Sequence, residues 1–390
     1  MSGDAGSNGN GSTAADGDAD WVRPKVSQRD PDTAGPLLEA WLAARLGPDS
    51  APVVTDLHAP ETNGMSSETL LFDVAWQEDG TTHRRSCVAR IEPEATAVPV
   101  FRSYDLDKQF EAMQLVGSRT SVPVPETLWF ESDPSVLGTP FFVMARVDGV
   151  VPPDVMPYTF GDCWLYDASP ADQAKVQAGA IAALAGIHAL TPANADLAFL
   201  ESPRPEATAL ARHVAEWEDY YAWVAGDRPS PLLDRCFAWL HEHWPSAEPD
   251  PVLSWGDSRI GNVLWDDFAP VAVLDWEMAG VAPPEVDLGW MIFLHRFFQD
   301  LTESMGLPGM PDFFKVADAT AAYAARTGHE PAELEWYLTY AATRHGVVMR
   351  RVTERGIAFG ETEAPEDLDD LILHRATLEK MLAGTYWSAI

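Results

Sequence analysis

Asp257 precedes Asn262 by five residues in the stretch Ser254-Trp255-Gly256-Asp257-Ser258-Arg259-Ile260-Gly261-Asn262, and Asp275 closes the apolar run Val271-Ala272-Val273-Leu274. Phosphoryl transfer calls for such a set. One carboxylate accepts the proton of the attacking hydroxyl, while an amide and a second carboxylate hold the divalent cation that offsets phosphate charge. Mg²⁺ takes oxygen ligands, commonly one or two carboxylates beside phosphates and waters. Asn262 and Asp275 match that demand, which leaves Asp257 as the candidate base. A Gly-Asp pair alone is ordinary turn chemistry; the combination carries the reading.

Other chemistries lack their residues. Gly64-Met65-Ser66-Ser67-Glu68 is not a Gly-x-Ser-x-Gly elbow, and neither a Walker loop nor a Gly-x-Gly-x-x-Gly fingerprint occurs. Metallophosphoesterase chemistry needs several His and Asp ligands downstream, and His295 stands alone there. His241 and His243 flank Glu242 without a ligand set and read as surface histidines. Cys87, Cys163 and Cys236 are far apart and odd in number, which points away from a disulfide framework and fits a reducing cytoplasm.

The chain of 390 residues is 46% hydrophobic, enough for sizeable cores, and carries a formal charge of −34. Such a charge repels nucleic acid. It would attract a cationic substrate, although general solubility explains it as well. No apolar run is long enough to cross a bilayer, and the N-terminus does not read as a signal peptide. The oligomeric state is not legible.

The elements that must position these residues follow from periodicity. Residues 1–22 form an acidic, Gly-rich tail expected to be disordered. Pro36 to Leu46 repeats apolar residues at helical spacing. Leu70, Phe72, Val74 and Trp76 alternate as a strand, Glu78-Asp79-Gly80 turns, and Ser86 to Ile91 returns. Leu106 to Val116 reads as a helix and Phe141 to Val147 as an apolar strand. Beyond Gly149 the texture is helical: 176–190, 210–224, 313–326, 332–354 and 365–382. A short hairpin, Asn262 to Trp265 and Val271 to Asp275 turned at Asp266-Asp267, interrupts them. The expected fold class is α+β, with a small antiparallel-sheet lobe over 36–147 and a larger, mainly helical lobe over 148–390.

The catalytic block resembles the aminoglycoside-phosphotransferase family, the antibiotic-kinase and choline-kinase-like relatives of protein kinases. In particular it is similar to an actinobacterial branch of mixed substrates. Further resemblance lies in Gly64 to Thr69, Val122-Pro123-Val124-Pro125, Leu137 to Met144 and Val286-Asp287-Leu288. Trp255 stands where the family usually keeps a His, and Pro283 where it usually keeps an acid. The resemblance implies a protein-kinase-like two-lobe fold and an ATP- and Mg²⁺-dependent transfer of the γ-phosphate to a hydroxyl of a small molecule. Met65, Ser66 and Ser67 would cover the phosphates. Arg90 would take the place of a phosphate-holding Lys, gripping two oxygens through its planar fork. Backbone groups of Ala145 and Val147 would meet the adenine edge, with Met144 in its wall.

The resemblance also implies supporting roles. Glu111 would partner Arg90, or Gln109 if the helix is rotated by half a turn. Arg259 would steady the transferred phosphoryl group or pair with Glu277 or Asp287. Asp287 would brace the catalytic loop, the plain alternative being a helix N-cap. Trp217, Tyr220 and Tyr221, with Trp223, Trp164, Tyr166 and the acidic Glu277, could line an acceptor site, although such spacing equally makes a core face. The competing expectation is a non-catalytic nucleotide-binding regulatory module, a pseudokinase. The missing Gly-rich, His-Arg-Asp, Asp-Phe-Gly and Ala-Pro-Glu signatures argue against a protein kinase.

Overall fold

The structure, a computed structural model, describes residues 29–60, 67–94, 98–154 and 157–387. The expected tail and the positions of Met65 and Ser66 lie outside the described residues. The first unit is a five-stranded antiparallel sheet in the order β1-β2-β3-β5-β4, formed by β1 (Val53–His58), β2 (Glu68–Glu78), β3 (Thr81–Ile91), β4 (Thr127–Glu131) and β5 (Phe141–Ala145).

The β2–β3 hairpin forms because its turn residues suit it. Asp79 and Gly80 both take positive φ, 50° and 73°, the backbone of a two-residue turn whose twist matches the strands. Their register sets Phe72 opposite Cys87 and Leu70 opposite Ala89. One face of the sheet packs Leu70, Phe72, Val74, Phe141 and Val143 against Leu38, Trp41 and Leu42 of α1 (Pro31–Leu46). α1 begins five residues before the expected Pro36, because the Asp30 carboxylate accepts the Asp32 N–H at 3.1 Å and caps the helix there.

On the other face, Phe142 and Met144 turn toward α2 (Leu106–Arg119) and the large core. The segment before α2 is tied to the helical unit. Arg351 donates to the Pro99 carbonyl at 2.7 Å and Tyr220 to the Val100 carbonyl at 2.9 Å.

The chain leaves the sheet at Ala145, and by Val150 it is already paired with Trp265. The helical unit contains α3 (Pro170–His188), α4 (Ala209–Ala225), α5 (Pro231–Glu242), α6 (Pro284–Ser304), α7 (Val316–Thr327), α8 (Leu334–Ala358) and α9 (Arg375–Leu382). Two small ladders carry the chemistry-bearing loop. β6 (Val252–Ser254) pairs with β9 (Gly280–Ala282), and β7 (Val263–Asp266) with β8 (Ala269–Val273). The β7–β8 turn falls at Asp267-Phe268, one residue beyond the expected place, with both φ positive. The last expected helix is shorter than 365–382, a 3-10 turn at Leu368–Leu371 preceding α9. Among the described residues no helix is long and apolar enough to cross a membrane. Cys87, Cys163 and Cys236 are buried and free.

Candidate active site

Between β6 and β7 the backbone folds into a tight loop that only glycine permits at its start. Gly256 has φ +89°, and a Cβ there would overlap the Met278 carbonyl. The loop is held from below by one buried carboxylate. Asp287 Oδ1 accepts from Ser254 Oγ and the Gly256 N–H, both at 2.9 Å. Its Oδ2 accepts from the Trp255 N–H at 2.7 Å and lies 3.0 Å from His188 Nε2. Tyr323 Oη is 2.7 Å from the other nitrogen of His188, fixing that ring in turn. Asp287 lies inside the first turn of α6, where Pro283 occupies the N-cap, so it is not the helix cap. Burial alone would push its carboxyl up, but His188 and the loop N–H donors hold it below the usual range.

Above that brace stand the three residues of the spacing motif. Asp257 Oδ2 accepts from Asn262 Nδ2 at 2.7 Å and from Arg259 Nε at 3.1 Å. With its nitrogen so engaged, the Asn262 side chain keeps its carbonyl oxygen as its one acceptor. Its backbone carbonyl receives the Leu274 N–H at 2.8 Å, which puts Asp275 beside it. Asp275 sits in the left-handed region at φ +59°, a conformation Asp tolerates better than most residues. Burial pushes its carboxyl up, Arg90 pulls it down and Asp257 adds repulsion. Trp255, in the place of a His, spends its N–H on the Leu274 carbonyl at 2.9 Å, tying loop to hairpin.

Arg90 reaches this cluster from β3: its Nη2 is 3.3 Å from Asp275 Oδ1 and its Nη1 is 3.2 Å from Thr69 Oγ1. The expected helix partner is a correction. Gln109 faces inward but donates to the Tyr104 carbonyl at 2.6 Å, and Glu111 faces solvent. α2 buries Leu106, Gln109, Ala112, Met113 and Val116, so Glu111 falls on the opposite side of the helix. Of the two roles expected for Arg259, the structural pair takes other carboxylates than Glu277 or Asp287: Arg259 pairs with Asp257 and Asp154. Burial opposes its charge, yet those two carboxylates raise its pKa. Gly261 makes room for the pair, since a Cβ there would stand 2.8 Å from both Arg259 Nη1 and Asp154 Oδ1.

Ser67, at the mouth of β2, is fully buried with an Oγ that has no hydrogen-bond partner among the described residues. At the end of β5 the Ala145 N–H goes to the Glu126 carbonyl and the Arg146 N–H to the Ser86 carbonyl. Of the two backbone positions expected at the adenine edge, Ala145 therefore has its N–H spent within the sheet. The Val147 N–H donates to no acceptor among the described residues. Met144 is buried opposite Val88.

The aromatic side of α4 corrects the acceptor-site expectation for two of its members. Trp217 is buried, its ring 4.6 Å from the Arg344 guanidinium. Tyr221 donates to Asp234 Oδ1 at 2.6 Å, inside the contact with α5. Their spacing makes an interior face. Tyr220 is half-buried and holds Val100, and Glu277 is half-buried in the electrostatic surroundings of Tyr104 and Tyr220.

Asp154, Trp290 and Arg344 were not anticipated. Trp290 lies one turn beyond Asp287 and donates to Asp257 Oδ1 at 2.7 Å. Helical spacing from Asp287 was the one available signal for it; nothing in the sequence linked Asp154 or Arg344 to the loop. Asp154, Arg259 and Gly261 border a small cavity whose other walls include Tyr158, Met291, Leu294 and Phe298.

Two carboxylates, an amide and two guanidinium groups thus converge where the sheet meets the helical lobe. The two-lobe α+β fold is that of the kinase-like phosphotransferases, and the chain belongs to the phosphotransferase enzyme family, whose model matches residues 76–337. A solved protein from Ralstonia eutropha, provisionally described as an aminoglycoside phosphotransferase, superimposes with a TM-score of 0.62 at 20% identity, covering 90% of this chain and 98% of that one. A thermostable variant of the aminoglycoside phosphotransferase APH(4)-Ia, in complex with ADP and hygromycin B, gives 0.53 at 17% identity over 89% of this chain and 98% of that one.

Curated relatives bear a different name. The human acyl-CoA dehydrogenase family member 11 is 26% identical over 239 residues, 59% of this chain but 29% of that protein. Its rat counterpart is 25% identical over 316 residues, 77% of this chain and 36% of that protein. The chain therefore spans about a third of the length of these relatives.

Proposed function

We propose that the protein is a kinase that uses ATP and Mg²⁺ to phosphorylate a hydroxyl group on a small molecule. The observation that carries this reading is the convergence of Asp257, Asn262, Asp275 and Arg90 on one point of the interlobe cleft. Asp257 would accept the hydroxyl proton, its carboxylate oriented by three donors. Arg90, with Ser67, would meet the phosphates, and the bare Val147 N–H is suited to the adenine edge. Membership of the phosphotransferase enzyme family supports the reaction class, and ADP in a structural neighbour supports the nucleotide.

The donor set fits the metal. An amide oxygen and a carboxylate are hard ligands, and Mg²⁺ draws its remaining oxygens from phosphates and waters. Among the described residues no group of three or more His, Cys, Asp or Glu gathers as a metal site, and none is required for this mode. The ion would supply charge neutralisation for the phosphates.

For the acceptor we favour a hydroxylated acyl compound over an aminoglycoside. The acyl-CoA dehydrogenase name of the curated relatives supports that class. The test is Mg²⁺-dependent phosphate transfer from ATP across a panel of hydroxyacyl compounds and aminoglycosides, with Asp257→Asn alongside. Turnover should drop by orders of magnitude in that variant while ATP binding persists. ATP binding without transfer to any acceptor, with Asp257→Asn indistinguishable from the parent, would favour the non-catalytic regulatory module.

A further inference from the structure

We propose that Trp290 is a positioning residue for the phosphoryl-transfer step, fixing the Asp257 carboxylate through its indole N–H; this rests on the reading of Asp257 as proton acceptor. The contact is short, 2.7 Å from Nε1 to Oδ1, and Trp290 is buried. Of the three donors to this carboxylate, the other two divide their hydrogen bonds. Arg259 is also bound to Asp154, and Asn262 also donates to the Asp257 backbone carbonyl at 3.0 Å. The indole has one N–H and no acceptor, so it can orient the carboxylate but never take its proton.

The indole is itself held. The Arg344 guanidinium lies 4.5 Å from the Trp290 ring and 4.6 Å from that of Trp217, and its Nη2 donates to the Gly256 carbonyl at 3.3 Å. Its Nε and Nη1 are buried with no hydrogen-bond partner among the described residues. A desolvated guanidinium left so incompletely paired is costly, and the contacts that offset the cost are those aromatic faces. A cation against the π-system also draws electron density from the indole, strengthening its N–H as a donor. α6 thus controls the loop twice: Asp287 sets its backbone, and Trp290, one turn on, aims its side chain.

The test uses the full chain with Mg²⁺ and ATP, water or the acceptor receiving the phosphate. Trp290→Phe keeps a ring against Arg344 and removes the N–H. It should lower kcat about ten- to a hundredfold, the loss of one hydrogen bond to a charged group, with little change in KM for ATP. A wild-type kcat in Trp290→Phe while Asp257→Asn is inactive would overturn the proposal and leave the function standing. Full activity of Asp257→Asn would remove both. A readout independent of turnover is the Trp290 indole N–H resonance in ¹⁵N-Trp-labelled protein, assigned by its absence from Trp290→Phe or Trp290→Tyr. It should shift upfield in Asp257→Ala; an unmoved resonance sinks the proposal.

Discussion

Nη2 of Arg90 lies 3.3 Å from Oδ1 of Asp275, joining the third strand of the sheet to the end of the β7–β8 hairpin in the other lobe. The pair is a cross-lobe contact between a half-buried cation and a carboxylate that burial disfavours as an anion. A triphosphate and a divalent ion brought between them would complement both, the guanidinium taking phosphate oxygens and the carboxylate the metal.

Arg90→Ala should therefore weaken ATP binding by about tenfold or more, the worth of one charge-assisted contact. Arg90→Lys should recover part of that, since a point charge replaces the fork but not its bidentate geometry. Calorimetric titration with ATP and Mg²⁺ checks both. An Arg90→Ala variant that binds ATP as the parent does would place the phosphates elsewhere.

Asp287→Ala should destabilise the protein by about 3–5 kcal/mol, because the Trp255 and Gly256 N–H groups would lose their buried acceptor. Since the folded-state pKa of Asp287 is depressed, its stabilising share is present above the ordinary carboxyl pKa of 3.8 and is lost as pH falls through the lower folded value. The gap between parent and variant in urea unfolding should be full at pH 7 and shrink only below about pH 4.

Acid should begin to weaken the fold above that pH, through its histidines. Burial depresses His213 and His295 to about 3, His374 to about 4, and His345 well below its ordinary 6.5. These groups stay neutral in the fold while the unfolded chain protonates, so stability falls as pH drops below 6.5. Each adds a slope of up to about 1.4 kcal/mol per pH unit until its folded pKa is reached. Urea midpoints measured between pH 7 and 5 should decline steeply. His374→Asn should flatten that decline relative to the parent.

The two loop glycines should respond differently. Gly256→Ala sets a methyl against a backbone carbonyl at a positive φ, so the folded yield should collapse. Gly261→Ala presses on the Arg259–Asp154 pair, whose side chains can yield. That variant should fold and melt within about 1 kcal/mol of the parent, yet lose turnover as Arg259 is displaced from Asp257. Circular dichroism and ATP turnover on the two proteins separate these outcomes.

Much of the architecture was legible. The β2–β3 hairpin was written in strict alternation and Asp79-Gly80, and the Asp257-x-x-x-x-Asn262 spacing marked the loop. The edge strand β1 was not legible, because its exposed and half-buried residues do not alternate cleanly. β4 follows Pro123 and Pro125, and all its residues are half-buried, which blurs its period. Side-chain partners were the harder part. Asp154 meets Arg259 across 105 residues, and Arg344 reaches Gly256 across 88, separations at which a single sequence carries no pairing signal. The α4 aromatics show the limit from the other side. Periodicity correctly made them a face, but could not say that Trp217 would meet a guanidinium instead of a ligand.

The grip of Arg351 and Tyr220 on Pro99 and Val100 has a mechanical consequence. It rivets the approach to α2 onto the large lobe, while Phe110 of the same helix leans on Phe130 and Phe142 of the sheet. α2 is then a strut spanning both jaws. Widening the cleft between the lobes must load one of those two attachments, so the stiffness of the mouth is set at α2, away from the catalytic loop.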